Sequence, residues 1–372
     1  MQIEKEEGED LEDTILKNIY SQKELEEQTG INIYKNLDYL FYKNLYIEKF
    51  NRSINKELSF HKKKITSMDW LENYNGMYFI SSSIDNSIKL WDLHNVLSFQ
   101  SKNNNSNSSG PLFTINCPHN EPVTLLVSTN SDNNFISNSS DKYIKLWDTK
   151  SKPKSPIKYE KMKDEVKILK FNKNGNLFAF INKEGNILYI YDYKMFKEIK
   201  QLSFKIPITD FIFDEDKLLI TNDDGQILIL NKPKYNIENI DNINRDNFPF
   251  YSIDINKDST NFITAGIDGL IIEYDLREMM SSYVYKKSDQ SIKHIQYSFD
   301  DNYISCVYDE KNLDIFSTEI KDHIYTKYTE NPIYLAKWNK KKNILGYIYD
   351  DNNNSKKNTS EGNIHFLVIP SN

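Results

Sequence analysis

The sequence predicts an all-β chain of seven repeated strand units behind an N-terminal segment of different character. Three observations predict it. In three stretches an Asp stands six residues before an aromatic residue that is followed by another Asp: Asp85 before Trp91-Asp92, Asp141 before Trp147-Asp148, and Asp268 before Tyr274-Asp275. Short β-prone runs flank each of these turns, giving strand, tight turn, strand. Weaker copies fill the intervals at a spacing of about 40–55 residues, the period of a repeat array in which each unit buries its faces against its neighbours.

The elements follow in order. The first unit runs from His61 to Leu93, through Met68-Asp69-Trp70 and Tyr78–Ser83, and the second from His119 to Thr149. The third is Val166–Phe171, Leu177–Asn182 and Ile187–Asp192, with Glu184-Gly185-Asn186 as its turn. The fourth is Ile208–Phe213, Lys217–Thr221 and Gln226–Leu230, turning at Asp223-Asp224-Gly225. The fifth holds Phe262–Asp275, the sixth Ser291–Ser317, and the seventh Ile333–Trp338, Ile344–Tyr349 and Asn363–Ile369. With only 11 glycines, Asn and Asp are expected to take many turn positions of positive φ. Ser101–Gly110 and Asp350–Glu361, rich in Asn, Ser and Lys, read as loops without a core of their own. Residues 1–50 form an acidic N-terminal extension, partly helical or disordered. A helix is expected near Leu11–Glu27, and Tyr34–Tyr46 is rich in Tyr and Leu suited to packing on a partner or on the repeats.

Composition narrows the function. The formal net charge is −7, and arginine occurs only at Arg52, Arg245 and Arg277. An acidic, arginine-poor chain is ill suited to neutralise phosphates or read guanine edges, so RNA contact is expected to be indirect at most. Cys117 and Cys306 stand too far apart in sequence for a CxxC pair. No apolar run approaches the ~20 residues of a membrane span, and the chain reads as soluble and intracellular. Phosphate-cradling glycine loops, a nucleophile elbow and HExxH are all missing from the sequence. The six histidines are scattered, and His61 and His119 occupy equivalent repeat positions, which favours turn architecture over metal ligation. No catalytic residue, cofactor, metal or small-molecule substrate is therefore expected. A propeller hydrolase would need carboxylates or histidines clustered on an axial channel.

These residues at these spacings resemble the WD-repeat family over roughly residues 54–370, most strongly in units one, two and five. The resemblance implies a seven-bladed WD40 β-propeller spanning 51–370. In that geometry each repeat straddles two blades, and a strand near 54–60 completes the blade begun by the C-terminal strands, which removes free sheet edges. It also implies a hydrogen-bonded turn network. His61 and Asp85 are expected to connect through Ser82 or Ser83 to the Trp91 indole, and His119, Ser139, Asp141 and Trp147 to repeat the arrangement. Asp268 and Tyr274 stand at the matching positions of unit five. Two further features are candidate partner contacts. Lys62-Lys63-Lys64 follows His61 on an expected loop, and Tyr274-Asp275-Leu276-Arg277 resembles the WDxR signature of cullin-ligase substrate receptors, with Tyr in place of Trp. Within the WD repeats, the order of strong and weak units resembles the THO complex subunit 3 family. The signal is most specific in the last unit: Ala336-Lys337-Trp338-Asn339, a hydrophilic insertion, then Glu361-Gly362-Asn363-Ile364 and a terminal strand. That likeness implies a nuclear, non-catalytic scaffold of mRNA export, docked on large helical THO subunits. A ligase receptor or another WD adaptor is the alternative.

Overall fold

The computed structural model describes residues 33–370 except 73–75, 99–109, 131–132, 151–153, 233–234, 236–240, 245–247, 286–287 and 350–361. The expected helix near Leu11–Glu27 lies outside the described residues, as do nearly all of both Asn-rich insertions. The chain divides into two compact units, Met1–Arg52 and Ser53–Asn372.

The second unit is a ring of seven four-stranded antiparallel sheets. Blades one to six span residues 65–116, 123–161, 166–203, 208–244, 250–284 and 292–328. The seventh is made from both ends of that unit. Its three inner strands are Ile333–Trp338, Ile344–Tyr349 and Gly362–Val368, and its outer strand is Ile54–His61. Ile54 pairs with Val368, and His61 with Gly362, so the last blade is shared by the two ends and ties the ring shut. A ring closed this way leaves each sheet an outer edge on the rim and an inner edge at the axis.

Strand alternation explains the core. In Tyr78–Ser83, Phe79 faces Trp91 across the sheet, and the rings stack 6.0 Å apart. Phe135 does the same with Trp147 at 6.3 Å, and Phe262 with Tyr274 at 4.9 Å. Trp70, Trp91 and Trp147 are fully buried, and burying a large aromatic ring stabilises by roughly 2–3 kcal/mol. The turns between second and third strands share one backbone geometry. Asn86, Lys142, Gly185, Gly225 and Gly269 all sit at positive φ, between 58° and 77°. The non-glycine positive-φ positions differ from the expected Asn and Asp. Besides Asn86 and Asp301, they include Lys142, Phe196, Met279 and Lys321. Main-chain bonds such as Lys142 N–H to the Ser139 carbonyl fix the conformation whatever side chain follows.

All seven innermost strands carry a register shift between their first and third residues, as at Ile65/Ser67 and Val123/Leu125. Each shift alters which side chains leave the blade toward the axis.

The first unit contains helix α1, Ile33–Asn51. A second, short helix, α2, Leu93–Ser98, follows the third strand of blade one.

Candidate functional site

Two polar systems position the loops and the axis of the ring. The first lies in blades one and two. Trp91 Nε1–H donates to Ser81 Oγ at 2.8 Å, and Ser81 Oγ meets His61 Nε2 at 2.8 Å. His61 Nδ1 lies 3.1 Å from Asp85 Oδ2. Asp85 also accepts the backbone N–H groups of Lys62 and Ser87. Blade two repeats the chain: Trp147 to Ser137 at 2.8 Å, Ser137 to His119 at 2.7 Å, and His119 to Asp141 at 3.0 Å. Burial lowers the pKa of His61, and it lowers that of His119 to about 4. Both imidazoles are therefore neutral at pH 7. Burial alone would raise Asp85, but hydrogen bonds from His61 and Ser87 outweigh it and hold the carboxyl below its usual range.

The bridging serines are not the ones expected. Ser81 and Ser137 hold that position, and Ser82 and Ser139 do not. Ser81 lies two residues beyond Phe79 and so shares the face on which Trp91 stacks. Ser82 lies on the opposite face and meets Thr66 Oγ1 at 2.8 Å. Ser139 is on the right face but one pair too far along. It donates to the Glu121 carbonyl and accepts from Asp141 N–H. Ser83 is its equivalent, bonded to the Lys63 carbonyl and to Asp85 N–H.

The other candidates fall as follows. In blade five, Asp268 shapes the turn through Leu270 N–H, and Tyr274 is buried against Phe262. Thr264 stands where Ser81 stands in blade one, and its hydroxyl is buried without a hydrogen-bond partner. Lys62 and Lys63 are exposed, whereas Lys64 lies over the Tyr334 ring at 4.4 Å. Arg277 is exposed in the turn after the third strand of blade five, its N–H bonded to Asp275 Oδ1 at 2.7 Å. Two open clefts flank exposed Tyr328, one of about 440 Å³ between blades six and seven and one of about 600 Å³ beside the Asp309–Asn312 turn of blade six.

The second polar system was not found by sequence reasoning. The innermost strands pair on one edge only, and side chains of neighbouring blades satisfy the other edge. Asp69 accepts Ser128 N–H and pairs with Lys337 at 3.1 Å. Asp210 accepts Ile253 N–H and pairs with Lys170 at 2.7 Å. Asp254 accepts Tyr297 N–H, and Gln296 accepts Trp338 N–H. Lysines reach further. Lys173 donates to the Lys257 carbonyl, two blades away, and Lys340 of blade seven donates to Ser128 of blade two. Burial pushes Asp254 up to about 7 despite Lys170, and pushes His294 down to about 4. Ionisable groups therefore do cluster at the axis. The signal available was the third and fifth residues of each innermost strand, read in parallel: Ser67 and Asp69, Lys170, Asp210, Ser252 and Asp254, His294 and Gln296, Lys337. Three of these carboxylates are engaged by backbone N–H groups of the next blade, which is a structural arrangement. Among the described residues, no group of three or more His, Cys, Asp or Glu side chains is placed to hold a metal ion.

Comparison with known proteins agrees with this architecture. The family described as "WD domain, G-beta repeat" matches residues 52–92 and 110–148, the closing strand with blade one and the inner part of blade two. THO complex subunit 3 of Arabidopsis thaliana is 24% identical over 312 residues, which cover 82% of this chain and 93% of that protein. Ring, turn networks and sequence likeness converge: the chain is a seven-bladed β-propeller whose first two repeats match the WD domain, and it is similar along most of its length to THO complex subunit 3.

Proposed function

We propose that this chain is a non-catalytic scaffold subunit of a THO-like complex. It acts in the nucleus, coupling transcription to assembly and export of messenger ribonucleoprotein, and it docks on large helical subunits through its loops and rim. The observation that carries this reading is the extent of the likeness, which takes in nearly the whole of the relative and most of this chain. The axial carboxylates support the absence of catalysis, because they are occupied in holding one blade to the next. Lys62 and Lys63, exposed beside a rigid turn, are candidate partner contacts. No membrane, cofactor or small-molecule substrate enters this role, and RNA is reached through partners.

The test is affinity purification of the full chain followed by mass spectrometry, with imaging of the same tagged protein. Recovery of other THO subunits and a nuclear signal is the expected result. A cytosolic pool lacking those subunits overturns the reading. The exposed Arg277 favours one alternative, a cullin-ligase substrate receptor. Under it, Arg277→Ala abolishes binding to a ligase adaptor, whereas under the scaffold reading every partner is retained.

A further inference from the structure

We propose that the outer strand of blade two, Lys158–Lys161, takes an extended acidic segment of a partner protein as a fifth strand. The inference goes beyond the assembly proposed above and does not rest on it. The strand pairs inward with Tyr143–Leu146 and has no neighbour on its outer side. Met162 N–H donates inward to the Lys142 carbonyl. Main-chain groups alternate sides along a strand, so the N–H and C=O groups of Tyr159 and Lys161 point to the open edge. An extended peptide pairs with such groups, and the side chains beside them select its sequence.

Every blade has an open outer edge, and the side chains beside this one set it apart. Tyr143 lies opposite Lys161, and Lys145 opposite Tyr159. The two tyrosine rings are 6.3 Å apart, and Lys145 and Lys161 each place Nζ 5.8 Å from the Tyr143 ring. Tyr159 is 66% exposed. Lys142 donates to the Lys163 carbonyl, and Lys161 and Lys163 are exposed. Among the described residues Lys142, Lys145, Lys161 and Lys163 form no ion pair, whereas Lys183 and Lys293 elsewhere on the ring pair with Glu165 and Asp309. Glu160 lies on the opposite face of the strand, where Tyr191 donates to it, and Asp141 is held by His119. Cations left without counterions beside an exposed edge favour an acidic segment. A second copy is disfavoured, because antiparallel self-pairing sets Lys158 against Lys161 and like charges oppose that. A polynucleotide has no strand-like row of N–H and C=O groups to pair with the edge.

The test uses the full-length chain and a synthetic probe of about eight residues, long enough to span the strand, in which Glu alternates with Thr and Val. One matched probe carries Lys in place of Glu. Another is N-methylated at each Glu, because residues opposite Tyr159 and Lys161 supply both the main-chain pairing and the side chains on the lysine face. A uridine oligonucleotide of equal charge is the fourth ligand. Binding is followed by fluorescence anisotropy at low and moderate salt, with thermal melting alongside. The Glu probe is expected to bind, with affinity falling as salt rises, and the Lys probe and the oligonucleotide to bind far more weakly. N-methylation is expected to cost about ten-fold or more in affinity. A Lys161→Glu, Lys163→Glu variant is expected to lose about ten-fold or more, with its melting temperature unchanged. Lys161→Gln, Lys163→Gln removes the charges without reversing them, is expected to lose less, and serves if the first variant fails to fold. Full affinity in the lysine variants, or for the N-methylated probe, overturns the proposal. So does tighter binding of the oligonucleotide, which would make the patch a nucleic-acid site.

Discussion

Blades one and five use the same stack, Phe79 on Trp91 and Phe262 on Tyr274, yet only blade one continues it into a hydrogen-bonded chain to a histidine and an aspartate. In blade five, Thr264 replaces the bridging serine and its hydroxyl has no partner. Blades three and four show another way to set the same turn. Asn182 Oδ1 accepts Ile187 N–H at 3.0 Å, and Asn222 Oδ1 accepts Gln226 N–H at 2.8 Å, so one amide does locally what four side chains do in blade one. The difference teaches that the blade is defined by apolar stacking and strand pairing. The polar chain is one of several ways to satisfy a turn once the blade exists, and it matters most where a buried indole N–H must find an acceptor.

The largest effect that probes this comparison is loss of the stacked ring. Trp91→Ala is expected to cost about 3–5 kcal/mol of unfolding free energy, read by urea denaturation with the two-state assumption checked against a second probe. The milder pair is more discriminating. Trp91→Phe leaves Ser81 and His61 buried with an incomplete network and should cost about 1–3 kcal/mol, whereas Tyr274→Phe should cost about 1 kcal/mol or less. Equal losses would show that the blade-one chain adds nothing beyond ring volume.

The axis supplies a test that depends on pH. Asp254 is raised to about 7 in the folded chain, above its unfolded value near 3.8. The folded state therefore holds its proton more tightly, and Asp254 contributes stability at low pH that is lost as pH rises from about 4 through 7. Asp254→Asn is expected to remove that loss, gaining on the order of 2 kcal/mol at pH 8 and little at pH 4. The measurement is melting temperature against pH for both proteins. His119 acts oppositely. Its folded value of about 4 lies below 6.5, so stability declines as pH falls from about 6.5 toward 4. Parallel pH curves for wild type and Asp254→Asn would mean that the carboxyl is solvated and ordinary.

Most of the blades were legible in the sequence because their signals are local. An Asp six residues before a stacked aromatic marks a turn between two alternating strands, and the Asp85 and Asp141 turns lie where that spacing places them. The axis was not legible, for a physical reason. Each innermost strand carries a register shift after its first residue, so simple alternation loses phase before Ser67 and Asp69, Ser252 and Asp254, or Lys337. Lys170 and Asp210 also sit on consecutive blades, and Lys337 and Asp69 on the last and the first, so these pairings depend on blade packing and ring closure that no local pattern encodes. The misassigned serines have a related cause. Ser81, Ser82 and Ser83 are identical by type, and only the Phe79–Trp91 stack shows which one shares the indole's face.

That last point gives the smallest effect and the sharpest comparison. Ser81→Ala removes the acceptor of the Trp91 indole and the partner of His61 Nε2 at once, leaving two buried polar atoms unsatisfied. Ser82→Ala removes a hydroxyl paired with Thr66, whose own hydroxyl can turn toward other acceptors. The expected costs are about 2 kcal/mol for Ser81→Ala and about 0.5–1 kcal/mol for Ser82→Ala. The same ranking should recur in blade two, with Ser137→Ala costing more than Ser139→Ala. Ser139 is buried, but it bonds to two main-chain groups, the Glu121 carbonyl and the Asp141 N–H, and its loss orphans no buried indole or imidazole nitrogen. If Ser82 or Ser139 proves the costlier loss, the indole is not held by the neighbouring serine, and the polar chain in blades one and two has no more consequence for stability than the asparagine turns of blades three and four.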